Sequence, residues 1–322
     1  MLAGYITASQ VHLARVKDHQ GEVFFYDKMS FSNRDFSDFE SILSLYMSRI
    51  RGTIDGAVFG VAGPVINNEV VATNIPWHLV GSSIEKKFGM KQVRLVNDLV
   101  AAAHGVFFLK EDRFYAINAG EAGRHGNIGL AAAGHGLGQA IIFYDGGRYR
   151  PIASEGGHAG FAPSTQLEVE LWEYVYSRKQ CVEVEDIVTL PGIETIYRFL
   201  IEHDRAVIAD WFKKATDKPS IIIEKALSGS DEQAVKAIDT FIDCYAGEVA
   251  NLALNGMTIG GIYLVGQVAP RIITLLDQGR FMERFVRKGK MEKLLASIPV
   301  KVVLEAQAAL VGAGAMTISH RR

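Results

Sequence analysis

The chain has 322 residues, of which 48% are hydrophobic and 22% charged, so it can bury a substantial core and has room for two domains. Its formal net charge of −2 gives no electrostatic basis for binding nucleic acid or an anionic membrane surface. Cys181 and Cys244 lie far apart and outside any CxxC or Cys/His spacing, which argues against a disulfide framework or a zinc site. Because the N-terminus has no basic n-region and no run is apolar enough to span a membrane, we expect a cytoplasmic protein.

The first hundred residues alternate between runs typical of strands and runs typical of helices. Two β-rich runs lie at 4–16 and 21–31, and apolar spacing predicts an amphipathic helix over 38–50. Buried strands are predicted at 55–65 and 92–98, and helices at 77–89 and 99–109. This alternation predicts a mainly parallel sheet with crossover helices.

The same plan returns after residue 127. Two strands meet at a hairpin signal, Asp145-Gly-Gly, and a mostly helical stretch follows, with Phe241, Tyr245, Val249 and Leu252 on one apolar stripe. Strand, glycine loop and helix then recur at 260–270 and 300–318. Two α/β units of similar plan predict two lobes around a cleft. The small lobe is predicted at 1–104, completed by the C-terminal helix at about 305–322, and the large lobe at 105–304.

The segment LVNDLVAAAHG ends a predicted buried strand at two polar residues, Asn97 and Asp98. Ligands of open α/β sheets bind outside the carboxyl ends of the strands, where these side chains are expected. An aspartate there can take a proton from a substrate hydroxyl, and an asparagine can orient that hydroxyl. The alternative is structural, since both residues are also good caps for a helix that begins at Leu99.

The segment SEGGHAGFAP holds Glu155 and His158 on one tight, glycine-rich loop. A carboxylate and an imidazole in this arrangement suit hydrogen bonding to neighbouring hydroxyl groups of a ligand. Interpreting Glu-x-x-His as a metal pair needs helical geometry and a third ligand, and neither is evident, so no metal ligand is predicted. The alternative is a turn with incidental polar residues.

Two further glycine loops follow predicted strands, AAGHGLG at 132–138 and VGQVAP at 265–270. Their backbone N–H groups can face a phosphate or an adenosine, although glycine turns are common wherever strands end. The absence of GxxxxGK[ST] excludes a P-loop nucleoside triphosphatase. A dinucleotide-binding Rossmann fold lacks its GxGxxG fingerprint after the first strand.

Taken in order, these stretches resemble the bacterial glucokinases of the sugar-kinase and actin superfamily, nearly from end to end. The resemblance rests on GVAGPV…NNEVVATNIPW, on LVNDLVAAAHG, on the Glu-Gly-Gly-His loop in SEGGHAGFAP, on VGQVAPR and on the closing AALVGAGA. It implies a two-lobed α/β fold of the actin/hexokinase-like (ribonuclease H-like) kind.

The resemblance also implies the sugar side of an active site. Asp98 matches the base that takes the proton of the sugar 6-hydroxyl. The matching sugar ligands are Asn97, Glu155, His158, Glu185 in CVEVEDIVTLPGI, and Asn74 from the small lobe. By the same resemblance the partners are glucose or a related hexose and a second copy of the chain, and the cofactors are ATP and Mg²⁺.

The nucleotide side departs from the family pattern. The first family loop, Asp-x-Gly-Gly-Thr-Asn, falls on residues 5–10, which places Tyr5 at the metal-organising acid and Thr7 and Ala8 at the two glycines. His12 stands where the family has an arginine. The positions that match ATP contacts are Ser9, Gly134, His135, Gly136, Gly266 and Gln267, of which His135 replaces a threonine and Gln267 a glycine.

Three hypotheses follow. The first is a working glucokinase that transfers the terminal phosphoryl group of ATP to the 6-hydroxyl of glucose. The second is a hexose-binding pseudokinase, acting as a sensor or regulatory subunit, because the substitutions cluster on the nucleotide side and phosphoryl transfer depends on positioning and charge stabilisation. The third is a different ligand at a donor site rebuilt by His12 and His135.

Overall fold

The computed structural model describes residues 1–19, 22–71, 77–121, 123 and 125–319. The strands are β1 Leu2–Ile6, β2 Gln10–His19, β3 Glu22–Ser32, β4 Gly56–Val61, β5 Val65–Ile66, β6 Glu69–Val71, β7 His78–Val80, β8 Gln92–Asn97, β9 Phe114–Asn118, β10 Ile128–Ala133, β11 Leu137–Tyr144, β12 Tyr149–Ser154, β13 Gly261–Val265 and β14 Val300–Val303. The helices are α1 Phe39–Arg49, α2 Gly81–Phe88, α3 Asp98–Gly105, α4 Gln166–Lys179, α5 Leu190–His203, α6 Asp210–Lys214, α7 Lys218–Leu227, α8 Glu232–Gly256, α9 Val268–Arg271, α10 Ile273–Leu276, α11 Arg280–Val286, α12 Glu292–Ala296 and α13 Ala308–Ser319.

The chain divides into two compact units. The first unit consists of Met1–Arg113 and Gln307–Arg322, and the second unit is Phe114–Ala306. The main sheet of the first unit has the strand order β3-β2-β1-β4-β8, and the sheet of the second unit has the order β12-β11-β10-β13-β14-β9. A small sheet, β5-β6-β7, completes the first unit.

The two main sheets share one plan of strand directions. In each, three neighbouring strands are parallel (β1, β4 and β8; β10, β13 and β14), and a meander of two antiparallel strands extends one side. The prediction of a mainly parallel sheet is therefore wrong for the outer strands. Short turns join β1 to β2 and β10 to β11, and a short connection can only return the chain in the antiparallel direction.

The central strand β1 of the first unit lies between two apolar layers. Leu2 and Ile6 are fully buried in the layer that contains α1, whereas Ala3 and the partly buried Tyr5 pack in the layer that contains α13. This split follows from the alternation of side chains along a strand. The side chain of Tyr5 consequently lies on the same face of the sheet as α13.

Helix α3 lies against α13 at a distance that only glycine permits. A Cβ atom on Gly312 would lie 1.6 Å from the carbonyl oxygen of Ala101, and one on Gly105 would lie 2.2 Å from that of Ala308. Both distances are far below any real contact, so the two helices touch through their backbones. This packing fixes the helix that carries Asp98 at its first turn.

The core of the second unit forms around α8, which packs on β10 and against α5, α7 and α11. The predicted apolar stripe of α8 is confirmed, because Phe241, Tyr245, Val249 and Leu252 are all at most 4% exposed. Among the described residues, no helix has both the length and the apolar character that crossing a membrane requires.

Candidate active site

The first unit presents Asn97 and Asp98 where β8 ends and α3 begins. The side-chain oxygen of Asn97 accepts hydrogen bonds from the N–H groups of Leu99 (2.9 Å) and Val100 (3.3 Å), and its amide nitrogen donates to the carbonyl oxygen of Gly63 (3.1 Å). The capping alternative therefore holds for Asn97, while its contact with a sugar stays a prediction. Oδ1 of Asp98 also accepts from Leu99 N–H at 2.9 Å. The positive end of α3 favours the ionised form of this carboxylate.

Tyr5 and His12 lie side by side in the same unit, at the end of β1. The two residues pair across β1 and β2, and their rings stack with centroids 6.0 Å apart. Nδ1 of His12 lies 2.8 Å from the hydroxyl of Ser30 and 3.4 Å from the amide nitrogen of Gln307.

Both rings are held neutral by their surroundings. Burial raises the pKa of the Tyr5 phenol far above its ordinary value, and the negative charge of Asp98 raises that pKa further. Burial lowers the pKa of the His12 imidazole. A neutral phenol thus stands near Asp98, at the position where the resemblance expects a carboxylate.

The loop after β1 is closed by its own hydrogen bonds. The hydroxyl of Thr7 accepts from the N–H groups of Ser9 (3.3 Å) and Gln10 (2.9 Å), and it donates to the carbonyl oxygen of Gln10 (3.0 Å). Asn33 fixes the loop from outside, by donating from its side chain to the carbonyl oxygen of Thr7 at 2.8 Å. The N–H of Ser9, a predicted ATP contact, is therefore bonded within the turn.

The second unit carries the Glu-Gly-Gly-His loop after β12, as the short 3₁₀ turn Gly156–His158 preceded by Glu155. The turn lies directly on β11, because a Cβ atom on Gly157 would lie 1.9 Å from the carbonyl oxygen of Leu137 and one on Gly156 would lie 2.4 Å from Oε1 of Gln139. Gly157 is needed for this close approach, because its neighbour is backbone. Glu155 and His158 remain exposed on the loop that this contact positions.

His158 is surrounded by carboxylates. Its Nδ1 lies 3.1 Å from Oε2 of Glu183, and this hydrogen bond is the main reason that the pKa of His158 is raised. Burial opposes the shift, while the charges of Glu185, Glu183 and Glu155 add to it. The predicted sugar ligands Glu155, His158 and Glu185 are therefore brought together in this unit. Glu183 was not among the predicted residues, although it stands two positions before Glu185 in CVEVEDIV.

Glu185 links this cluster to the first glycine loop of the second unit. Its Oε2 accepts from Leu137 N–H at 2.8 Å, and a Cβ atom on Gly136 would lie 2.8 Å from the same oxygen. The loop is closed from the other side, since Gly134 N–H donates to the carbonyl oxygen of Gly136 and the carbonyl oxygen of Gly134 accepts from Leu190 N–H. A predicted sugar ligand thus also holds the turn that carries Gly134, His135 and Gly136.

The second glycine loop lies beside the first. Gly266 has φ +90°, and a Cβ atom on it would lie 2.6 Å from the carbonyl oxygen of Ala133, the last residue of β10. Gln267 follows as an exposed residue before α9. The structure thus brings the two predicted nucleotide loops of this unit together at neighbouring strand ends.

The roles predicted for the individual site residues stay predictions. Asn74 lies outside the described residues. Among the residues that are described, no group of three or more His, Cys, Asp or Glu side chains has the arrangement that a metal ion requires.

Gly157→Ala is expected to weaken hexose binding by at least about tenfold, because the added methyl group displaces the turn from β11 at a cost of about 1–3 kcal/mol. Calorimetric titration with glucose measures this change. Gly160→Ala is the matched control, since nothing lies within 4 Å of a Cβ atom at Gly160. Equal glucose affinity in the two variants would contradict the role given to Gly157.

Comparison with known proteins identifies the family of the chain. The sequence model of the glucokinase family matches residues 2–320. The glucokinase of Nostoc sp. is 33% identical over 97% of this chain and 97% of its own length. The glucokinase of Synechocystis sp. is 37% identical over 80% of this chain and 77% of its own length.

Solved structures show the same fold. The glucokinase from an Antarctic psychrotroph is 27% identical, with a TM-score of 0.85 over 100% of this chain and 98% of that structure. The Balamuthia mandrillaris glucokinase, solved in complex with glucose, is 19% identical. It shares the fold with a TM-score of 0.81 over 97% of this chain and 92% of that structure. The predicted α/β hexokinase-like fold is confirmed, and this chain belongs to the glucokinase family.

Proposed function

We propose that this chain binds glucose or a related hexose and transfers the terminal phosphoryl group of ATP to the sugar 6-hydroxyl, with Asp98 as the general base. The observation that carries the proposal is the partly buried carboxylate of Asp98 at the N-terminus of α3, in a chain of the glucokinase family. In this reaction the proton of the 6-hydroxyl passes to Asp98 as the oxygen attacks the γ-phosphorus. The bond from that phosphorus to the bridging oxygen breaks, and ADP leaves.

The second unit supplies the proposed sugar contacts. Glu155 and Glu185 accept hydrogen bonds from ring hydroxyls, and His158 presents its Nε2 to another. Their support is that the Glu155 and Glu185 carboxylates lie near enough to the His158 ring to raise its pKa. Asn97 serves the reaction by starting α3 and so positioning Asp98.

The proposed nucleotide contacts are the backbone of the two adjacent glycine loops, at Gly134, Gly136 and Gly266, with Gln267 and His135 at their exposed edge. The end of β1 fits Mg²⁺ poorly, because oxygen ligands of carboxylates suit this ion and Tyr5 offers a neutral phenol.

A second candidate function is hexose binding without phosphoryl transfer, in a sensor or regulatory subunit. It is favoured by the neutral Tyr5 beside Asp98 and by the loop that Thr7 closes on itself. Removing one donor that stabilises transition-state charge costs about a hundred- to a thousandfold in rate, and here several positions change together. None of these positions is among the proposed sugar contacts.

Calorimetry with glucose and with Mg-ATP, together with a coupled phosphorylation assay, separates the candidates. Binding of both ligands with turnover supports the phosphotransferase. Glucose binding with no nucleotide binding and no turnover supports the sensor. A chain that binds no hexose contradicts both candidates.

A further inference from the structure

The imidazole of His158 is held on one side by a residue outside the proposed set of sugar ligands. Nδ1 of His158 lies 3.1 Å from Oε2 of Glu183, and the two side chains are 53% and 28% exposed. The backbone segments that carry the two residues also pair, through an antiparallel β-bridge between Gly160 and Glu183. The contact is therefore built by the backbone as well as by the side chains.

Glu183 is itself fixed in place. Its N–H donates to Oδ2 of Asp186 at 2.9 Å, at the start of the short turn Val184–Asp186. Nζ of Lys179 lies 3.9 Å from Oε2 of Glu183 and forms a close ion pair with Asp186. A carboxylate anchored in this way can orient a ring that touches it.

The chemistry of the pair determines which nitrogen of His158 carries hydrogen. An ionised carboxylate can only accept, so Nδ1 must donate to Glu183 whether the ring is neutral or charged. Nε2 is then an acceptor in the neutral ring and a donor in the imidazolium. The contact with Glu183 thus settles the hydrogen-bonding role of the other nitrogen.

We propose that Glu183 is a positioning residue of the hexose site, which holds the His158 imidazole in its Nδ1–H form and presents Nε2 to a hydroxyl of the sugar. This inference rests on the proposed function. Glu183 then contributes to how tightly the hexose is bound and takes no part in the transfer step. Removing its carboxylate therefore changes KM for the hexose and leaves kcat nearly unchanged.

The charged groups around His158 give the sign of the pH effect. Glu183 against the ring, Glu185 two positions further along the chain and Glu155 on the loop of His158 favour the imidazolium, whereas burial opposes it. Lys179 from α4 and Asp186 form an ion pair beside Glu183. Because the hydrogen bond to Glu183 is the largest cause of the raised pKa, Glu183→Gln lowers the pKa of His158. The inflection of hexose affinity against pH then moves to lower pH.

Nitrogen-15 NMR of the histidine rings, combined with glucose calorimetry over about pH 5 to 9, tests the proposal. In Glu183→Gln we expect His158 to titrate at lower pH, to lose its exclusive Nδ1–H form, and to bind glucose about five- to tenfold more weakly.

Glu170→Gln is the matched control, since Oε2 of Glu170 contacts Nε2 of His203 at 2.9 Å in the same unit. It is expected to move the titration of His203 and to leave glucose affinity unchanged. If Glu183→Gln leaves both the titration of His158 and the glucose affinity unchanged, the inference about Glu183 is overturned and the proposed function stands. An unaltered chain that binds no hexose would overturn the proposed function, and the inference with it.

Discussion

Asp98→Asn is expected to lower kcat for hexose phosphorylation by about a hundred- to ten-thousandfold, the usual contribution of a general base. The amide cannot take the proton of the 6-hydroxyl, whereas its carbonyl oxygen can still accept the hydrogen bond that Asp98 receives from Leu99 N–H. The start of α3 is therefore preserved, and glucose affinity stays close to that of the unaltered chain. A coupled assay gives kcat, and calorimetry gives the affinity.

The control for this variant is Asp38→Asn. Asp38 accepts from Ser41 N–H at 2.7 Å as the N-cap of α1, and asparagine caps a helix as well as aspartate does. This variant makes the same chemical change at a helix start of the same unit, and its kcat is expected to match that of the unaltered chain. A kcat that survives Asp98→Asn unchanged would show that Asp98 is not the base.

Local patterns predicted the parts of the fold that depend on sequence neighbours. The apolar stripe of α8 follows from 3.6-residue spacing. The ends of β8 and β13 follow from Asp98 and Gly266, the polar residue and the glycine that come directly after these strands. Strand and helix alternation does not predict the direction of the outer strands. The hairpin signal at Asp145 does indicate an antiparallel pair, because a hairpin reverses the chain.

The contacts that were not predicted join distant parts of the chain. Gln307 reaches His12 across 295 positions, and Glu183 reaches His158 across 25. Such pairs depend on how α13 and the turn Val184–Asp186 pack, and no local pattern contains that information. The closing of the first loop by Thr7 has another origin. The family pattern has a glycine at this position, whereas the hydroxyl of Thr7 is a good acceptor for nearby N–H groups.

Tyr5→Asp is expected to raise kcat/KM for Mg-ATP by at least about tenfold, the order of a single charge-stabilising contact in phosphoryl transfer. The substitution puts a carboxylate, which suits Mg²⁺ better than a phenol, at the end of β1 beside Asp98. A coupled assay with varied Mg-ATP measures the gain. The variant is also expected to be less stable without nucleotide, because it loses the packing of the ring and sets two like charges near each other.

Tyr5→Asn separates charge from the loss of the ring, since it removes the same aromatic packing and adds no carboxylate. If a carboxylate at residue 5 strengthens the binding of Mg-ATP, the Tm of Tyr5→Asp rises steeply with added Mg-ATP, whereas the Tm of Tyr5→Asn does not. Equal kcat/KM and equal Tm responses in the two variants would contradict this account of β1. Thr7→Gly, which frees the N–H groups of Ser9 and Gln10, then tests whether the closed loop limits Mg-ATP binding.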